Sequence, residues 1–214
     1  MKLYTYFRSS AAWRVRIALA IKGIKAQPEF VHLLKDGGQQ RTPAFRAVNP
    51  MGVVPTLVLD DGTVLTQSIA IMEYLDEIHP APPLLPDDPE ARARVRAFAL
   101  GVACEIHPLN NLRVLRYLKD ELGQPDAARD AWYHHWIAEG LTALETIVSD
   151  TGPGPFLFGA SPTMADVCLV PQMANARRFK CPLHAYPTLL RAEAAALALP
   201  AFRDTAPDRQ PDAE

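Results

Sequence analysis

The spacing of apolar residues predicts alternating strands and helices over residues 1–80. An apolar run at residues 3–7 predicts a strand. Trp13, Ile17 and Ile21 recur every four residues, which predicts a helix over residues 11–22, and Gly23 is a typical residue beyond a helix C-terminus. The predicted order is β-α-β-α-β-β-α. The later elements are placed at residues 30–34, 43–48, 53–59 and 63–65, and in a helix that follows Ser68 as its N-cap.

Two turn signals lie in this half of the chain. The Asp61-Gly62 pair between two apolar runs predicts a β-hairpin. Pro55 follows two valines at the start of the first of those runs. Because proline cannot donate to a strand ladder, it suits the strand entrance, and a cis peptide bond in a tight turn suits that place.

The second half of the chain is predicted to be helical. Five prolines within residues 79–89 form a stiff connector, so we divide the chain into a domain over residues 1–79, a linker over 80–89 and a helical domain over 90–214. Helices are predicted at residues 90–122, 126–149 and 188–199, and another that opens with a capping box, Thr163 and Asp166, and runs to residue 178. The polar tail at residues 208–214 is predicted to be loosely held.

Composition excludes several classes of protein. The 214 residues are 49% hydrophobic with a net charge of −2, which is typical of a globular protein and gives no attraction to nucleic acid. No apolar run approaches the roughly 18 residues that a membrane span needs. The first residues lack a signal-peptide pattern, so we expect a cytoplasmic protein without membrane or nucleic-acid partners.

Cysteine and histidine spacing predicts neither a redox centre nor a metal site. Cys104, Cys168 and Cys181 are scattered without a C-x-x-C pair, which fits a reducing compartment and three buried, inert thiols. His134 and His135 are adjacent and cannot share a helix face.

Candidate chemistry begins at the first predicted helix. Ser9 and Ser10 stand between strand and helix, beside Arg8. A helix N-terminus presents unpaired N–H groups and a positive dipole end, so this place suits a small anion such as a thiolate, a carboxylate or a phosphate. The two serines could instead serve only as helix caps.

These pieces together resemble a known family. The stretch at residues 9–19, reading SSAAWRVRIAL, is similar to the zeta-class signature of the cytosolic glutathione transferases. The helical second half of the chain is similar too. Further similar segments are Val-Pro-Thr at residues 54–56, Gln-Ser at 67–68, and residues 35–40, 164–166, 169–172, 174–179 and 209–212. The resemblance implies a thioredoxin-like α/β domain followed by an all-α domain.

The resemblance also implies a function. Zeta-class members include maleylacetoacetate isomerase, and a bacterial branch acts on maleylpyruvate. We therefore expect a homodimeric, glutathione-dependent cis–trans isomerase of a dianionic maleyl keto acid. General glutathione transfer, conjugation of α-halo acids and a non-catalytic binding role remain alternatives. Ala11 replaces the signature cysteine, so the nucleophile has to be glutathione itself, and a disulfide-exchange enzyme is excluded.

The resemblance implies the roles of Ser9 and Arg178, and the chemistry of the residues suggests the other candidates. Ser9, assisted by Ser10, is expected to activate the glutathione thiol. The other residues expected to bind glutathione are Lys35, Gln40, Val54, Pro55, Gln67, Ser68, His107 and Asn110. Substrate carboxylates are assigned to Arg8, Arg113 and Arg178. Several assignments have structural alternatives. Lys35 could belong to an exposed polar loop, the Pro108 kink beside His107 could serve packing, and the arginines could be ordinary surface residues.

Overall fold

A four-stranded mixed sheet with the strand order β2-β1-β3-β4 organises the first part of the chain. The computed structural model describes residues 1–152 and 154–214. β1 pairs with β2 in parallel and with β3 antiparallel, and β3 pairs with β4 antiparallel. The strands are β1 Lys2–Thr5, β2 Gln27–Phe30, β3 Thr56–Val58 and β4 Val64–Thr66.

The helices of this part are α1 Ser10–Lys22, α2 Pro43–Val48 and α3 Ser68–Ile78. Ser9 is the N-cap of α1, and Gly23 ends it in the left-handed conformation with φ of 66°. The bounds of α1 and α2 lie within one residue of their predicted ranges. The Val54–Pro55 peptide is cis and lies just before β3, also as expected.

All four strands differ from their predicted ranges. β3 is shorter, at residues 56–58 instead of 53–59, and β4 is shifted by one residue, to 64–66. β1 ends at Thr5 because the next backbone groups bond elsewhere: the N–H of Phe7 donates to Asp212 at 2.9 Å. β2 covers residues 27–30 instead of 30–34. The ring nitrogen Nδ1 of His32 accepts the N–H groups of Leu34 and Lys35, which turns the chain out of the sheet.

The N-cap assignment of Ser68 is wrong. Gln67 precedes α3 with φ of 68°, and Ser68 is the first helical residue. The Ser68 hydroxyl instead accepts a hydrogen bond from the buried guanidinium of Arg14 at 3.3 Å. The side chain that was expected to cap its own helix therefore connects α3 to α1.

The second compact unit covers residues 85–197 and is helical. Its helices are α4 Pro89–Leu100, α5 Leu112–Arg116, α6 Asp126–Val148, α7 Met164–Arg178 and α8 Pro187–Leu197. α6 and α7 lie close to their predicted ranges, and Thr163 is the N-cap of α7.

The single helix predicted over residues 90–122 is wrong. The chain forms α4, a π-helical turn at Gly101–Ile106, a non-helical turn, α5, and a second π-helical turn at Tyr117–Glu121. Pro108, which has no N–H, lies in the non-helical turn. The first π-helical turn packs tightly against α6, since a Cβ at Gly140 would come within 2.2 Å of Ile106 Cγ1.

The buried carboxylate of Asp166 supports the start of α7. It accepts the N–H of Thr163 at 2.8 Å and the N–H of Leu157 at 3.0 Å. Burial raises the pKa of Asp166, and these hydrogen bonds oppose that shift by stabilising the charged form.

Replacing Asp166 with alanine is expected to lower the free energy of unfolding by about 3 kcal/mol, because it leaves buried N–H donors unpaired. Urea unfolding measures the loss. Asp130→Ala, at an exposed position on α6, is the matched control and should change stability by less than about 0.5 kcal/mol. Equal losses in the two variants would contradict a structural role for the Asp166 carboxylate.

The C-terminal segment belongs to the first compact unit, which comprises residues 1–84 and 198–214. The sequence-based division placed residues 90–214 in one helical domain and left the tail loosely held. The segment instead forms a short helix, α9 Pro200–Arg203, and its Thr205 accepts the indole N–H of Trp13 at 3.0 Å. Within residues 208–214, the Asp212 carboxylate accepts the N–H of Phe7 at 2.9 Å and the Glu214 carboxylate contacts Lys35, so the expectation of a loosely held tail is wrong.

Two further expectations concern cysteines and membranes. Cys168 and Cys181 are buried as expected, but Cys104 is exposed, and all three are free thiols. In the described part of the chain, no helix has the length and apolar character that a bilayer crossing requires.

Candidate active site

Strand register brings most of the expected glutathione-binding residues to one edge of the sheet. Thr5 at the end of β1 pairs with Phe30 at the end of β2, Tyr4 pairs with Thr56 at the start of β3, and Thr56 pairs with Thr66 at the end of β4. The segments that follow β1, β2 and β4, and the one that precedes β3, therefore start from the same edge. These segments contain Arg8, Ser9, Ser10, Lys35, Val54, Pro55, Gln67 and Ser68.

Ser9 lies where α1 begins. Its hydroxyl oxygen accepts the N–H of Ala12 at 3.2 Å, and its own N–H donates to the carbonyl of Tyr6 at 3.0 Å. The capping bond uses a lone pair of the oxygen, so the hydroxyl hydrogen can still donate to an anion. The capping role and the catalytic role of Ser9 are thus compatible. Ser10, the first residue of α1, is buried.

The loop after β2 contains a cation and a buried amide. The Lys35 ammonium contacts the Glu214 carboxylate, and this hydrogen bond raises the pKa of Lys35 and lowers the pKa of Glu214. The amide nitrogen of Gln40 donates to the Leu33 carbonyl at 3.4 Å. Its amide oxygen is buried without a hydrogen-bond partner among the described residues.

The segments beside β3 and β4 complete this edge. Val54 packs in an apolar cluster with Phe7 and Phe45, which holds the cis peptide against the loop that follows β1. Gln67 has a left-handed backbone, and its amide contacts Met51 Sδ at 3.5 Å. Ser68 opens α3, whose N-terminal N–H groups suit a carboxylate.

Arg8 is an exposed cation next to Ser9 in the sequence. Its guanidinium carbon lies 4.8 Å from the centre of the Phe7 ring, a cation–π contact that orients the side chain while leaving its N–H groups available.

In the second unit, Tyr133 connects two of the predicted residues. The Arg178 guanidinium lies 5.0 Å from the centre of the Phe179 ring, which stacks on Tyr133 at 3.7 Å. Burial raises the pKa of Tyr133, and the positive charge of Arg178, together with a side-chain hydrogen bond to it, opposes the shift. The Asn110 amide nitrogen donates to the Tyr133 carbonyl at 3.5 Å, and its buried oxygen has no partner among the described residues.

The remaining candidates lie in the turn before α5 and on α5 itself. Asn111 is the N-cap of α5, and its amide nitrogen lies 3.3 Å from His107 Nε2. Arg113 is exposed on α5. Within residues 1–152 and 154–214, no three His, Cys, Asp or Glu side chains are grouped so that they could hold a metal ion.

Known proteins match this chain along nearly its whole length. Residues 8–78 match the family described as Glutathione S-transferase, N-terminal domain, and residues 127–207 match Glutathione S-transferase, C-terminal domain. A maleylacetoacetate isomerase from Pseudomonas aeruginosa is 48% identical over 212 residues, covering 99% of this chain and 98% of that protein. A maleylpyruvate isomerase from a Ralstonia species is 46% identical over 214 residues, covering 99% of each.

Solved structures agree. A holo structure of a bacterial maleyl pyruvate isomerase, described as a zeta-class glutathione S-transferase, has a TM-score of 0.96 and 45% identity, and each chain is covered completely. The chain belongs to the zeta class of the glutathione transferases. The maleylacetoacetate isomerase of Anaeromyxobacter dehalogenans, solved with glutathione in its active site, has a TM-score of 0.88 and 48% identity, covering 100% of this chain and 97% of that one. The expected thioredoxin-like domain followed by a helical domain is confirmed.

Sequence reasoning missed two supporting residues of this zeta-class chain. Arg14 lies on a buried face of α1 and reaches Ser68, and nothing in its local pattern indicates that contact. Tyr133 lies in an aromatic-rich stretch that we interpreted as core packing. Trp132 and Trp136 do pack edge-to-face at 5.7 Å, but Tyr133 contacts Arg178 as well.

The Lys35–Glu214 pair leads to a binding prediction. The Glu214 carboxylate pairs with the Lys35 ammonium, which would bind the glycine carboxylate of glutathione. Because Glu214→Gln removes this competing charge, we expect a modest decrease in the glutathione KM, by less than about fivefold, and an unchanged kcat. Steady-state kinetics at low and high salt measures this. Glu139→Gln, at an exposed position on α6, is the matched control. A higher KM in Glu214→Gln would contradict competition for Lys35.

Proposed function

We propose that this chain catalyses glutathione-dependent cis–trans isomerisation of a maleyl keto acid, converting maleylacetoacetate to its fumaryl isomer. The observation that carries the proposal is the Ser9 hydroxyl at the N-terminus of α1, next to Ala11 instead of a cysteine. The site thus offers groups that stabilise a sulfur anion but supplies no sulfur at that position. Similarity to named isomerases over 99% of the chain supports the same conclusion.

The residues at the sheet edge fit glutathione, an extended tripeptide with two carboxylates. The N-terminus of α3 with Ser68 and Gln67 suits the γ-glutamyl carboxylate, and Lys35 with the amide of Gln40 suits the glycine end. The segment before β3, at Val54 and Pro55, suits strand-like pairing with the cysteinyl backbone.

Bound glutathione supplies a nucleophilic sulfur that adds reversibly to the substrate double bond, so that rotation can occur before the sulfur leaves. Ser9 donates its hydroxyl hydrogen to the thiolate, and the N–H groups at the start of α1 add a positive potential. Both effects favour the ionised thiol at neutral pH, where an unperturbed thiol, with a pKa near 8.5, stays largely protonated.

Arginines are assigned to the dianionic substrate. Arg178 binds a carboxylate, and its guanidinium is oriented by Phe179 and by Tyr133. Arg8, adjacent to Ser9, stabilises the negative charge that develops on the enol oxygen. Arg113 is a further carboxylate contact, and His107 and Asn110 are assigned to glutathione.

The choice between maleylacetoacetate and maleylpyruvate is the finer part of this proposal. Relatives bearing either name are similarly identical to the chain. Parallel kinetics on both keto acids, following loss of ultraviolet absorbance with and without glutathione, tests the proposal and decides the substrate. Turnover without glutathione, or no turnover of either keto acid, would contradict it.

Assembly and location complete the proposal. We infer a homodimer in the cytoplasm from the chain's resemblance to its class. Light scattering coupled to gel filtration should give twice the mass of one chain, and a monomeric mass would contradict the inference.

A further inference from the structure

The guanidinium of Arg16 holds the backbone that leads into the active-site loop. Arg16 lies on α1 and is only 8% exposed. It donates to the side-chain oxygen of Thr5 at 3.0 Å and to the carbonyls of Tyr6 and Phe7 at 3.3 and 3.0 Å. All three acceptors lie between the end of β1 and Arg8, so one planar group fixes the path of the chain just before Ser9.

Asp212, from the C-terminal segment, holds the same backbone from a second direction. One carboxylate oxygen accepts the N–H of Phe7 at 2.9 Å, across 205 positions of sequence. Both backbone polar groups of Phe7 are therefore engaged by charged side chains, the N–H by Asp212 and the carbonyl by Arg16. Hydrogen bonds to charged groups are shorter and stronger than neutral ones.

The two charges also depend on each other. Burial lowers the pKa of the Arg16 guanidinium to about 10, and the negative charge of Asp212 opposes that shift. Arg16 donates in addition to the Thr205 carbonyl at 3.2 Å, and the Thr205 hydroxyl accepts the Trp13 indole N–H at 3.0 Å. The C-terminal segment is thus bound to the face of α1 that carries Arg16 and Trp13.

This arrangement has a catalytic consequence because of where it acts. The Tyr6 carbonyl accepts the N–H of Ser9 at 3.0 Å as well as the Arg16 bond. The hydroxyl of Ser9 is therefore aimed by a backbone that Arg16 and Asp212 fix. Displacement of a catalytic group by about 1 Å can cost as much as 100-fold in rate.

We propose that Asp212 and Arg16 are positioning residues, which connect the C-terminal segment to the loop at residues 6–9 and so hold Ser9 and Arg8 in their productive geometry. This inference rests on the function proposed above. It assigns residues 205–212, far from the loop in sequence, to the support of the active site.

The test uses Asp212→Ala, Asp212→Asn and, as matched control, Asp208→Ala, which alters another acidic residue of the same segment. Asp212→Ala removes the acceptor and the charge, whereas Asp212→Asn keeps a neutral acceptor and is the less disruptive variant. For each protein we would measure stability, kcat, glutathione KM and the pKa of the bound glutathione thiol from thiolate absorbance.

We expect Asp212→Ala to lower kcat about tenfold and to raise the bound-thiol pKa, with Asp212→Asn intermediate and Asp208→Ala equal to wild type. A lower stability of both Asp212 variants, with kcat and bound-thiol pKa equal to wild type in the folded protein, would overturn the positioning role. If wild type itself binds no glutathione, the proposed function fails instead, so the two failures are distinguishable.

Discussion

Replacing Ser9 with alanine is expected to lower kcat about 100-fold while weakening glutathione binding only a few-fold. A decrease in kcat of about this size is typical when one preorganised hydrogen-bond donor to an anion, here the thiolate, is removed. The proposed site binds the tripeptide mainly through groups other than Ser9, among them Lys35 and the start of α3, so the loss of affinity should be small. Steady-state kinetics and calorimetry on the same preparation give the two quantities separately.

The same substitution removes an N-cap, so a stability control is needed. Losing the bond from the Ala12 N–H should cost about 1 kcal/mol of unfolding free energy. Asp88→Ala removes an equivalent cap, because the Asp88 carboxylate accepts the N–H of Ala91 at the start of α4. This substitution leaves the sheet edge unaltered. It should lose similar stability and keep full turnover, and Ser9→Thr should retain both cap and activity. An unchanged kcat in Ser9→Ala would show that another group activates the thiol.

Replacing Arg178 with alanine is expected to raise the KM for the dianionic substrate about 30-fold, with glutathione affinity unchanged. The reason is the loss of a charge-assisted, bidentate contact to a carboxylate, for which 10- to 150-fold is a reasonable range. The guanidinium is held by the Phe179 ring and by Tyr133, so its N–H groups are aimed before substrate arrives.

Two variants define the Arg178 result. Arg178→Lys keeps the charge but not the fork of donors, so an intermediate KM is expected. Arg94→Ala removes an exposed arginine of α4 that pairs with Glu90, and it should leave kinetics unchanged. If Arg178→Ala and Arg94→Ala behaved alike, the substrate carboxylate would have to bind elsewhere.

What sequence reasoning predicted well depends on local signals. Ser9 and Gly23 bound α1, and Thr163 with Asp166 opens α7, because caps act on backbone groups within a few residues of themselves. The cis bond before β3 follows from proline at a strand entrance. The candidate residues at the sheet edge were chosen from local chemistry and from the family resemblance. Strand order and register bring their four chain segments to one edge, and their roles in binding glutathione stay predictions.

What could not be predicted depends on contacts between distant positions. The bond from Phe7 to Asp212 spans nearly the whole chain, and its geometry is not encoded in either neighbourhood. The π-helical turn before Pro108 packs against Gly140, which lies on another helix. Ser68 looked like a cap because its hydroxyl precedes a helical pattern, but its partner Arg14 comes from α1.

The central claim is that glutathione binds with its thiol ionised beside Ser9. Calorimetric titration of glutathione at pH 7, repeated in buffers of different ionisation enthalpy, measures both the affinity and the number of protons released. The account predicts binding with release of close to one proton, since a free thiol with a pKa near 8.5 is mostly protonated at that pH, and no release on binding S-methylglutathione. Binding of glutathione without proton release, or no binding at all, would contradict it.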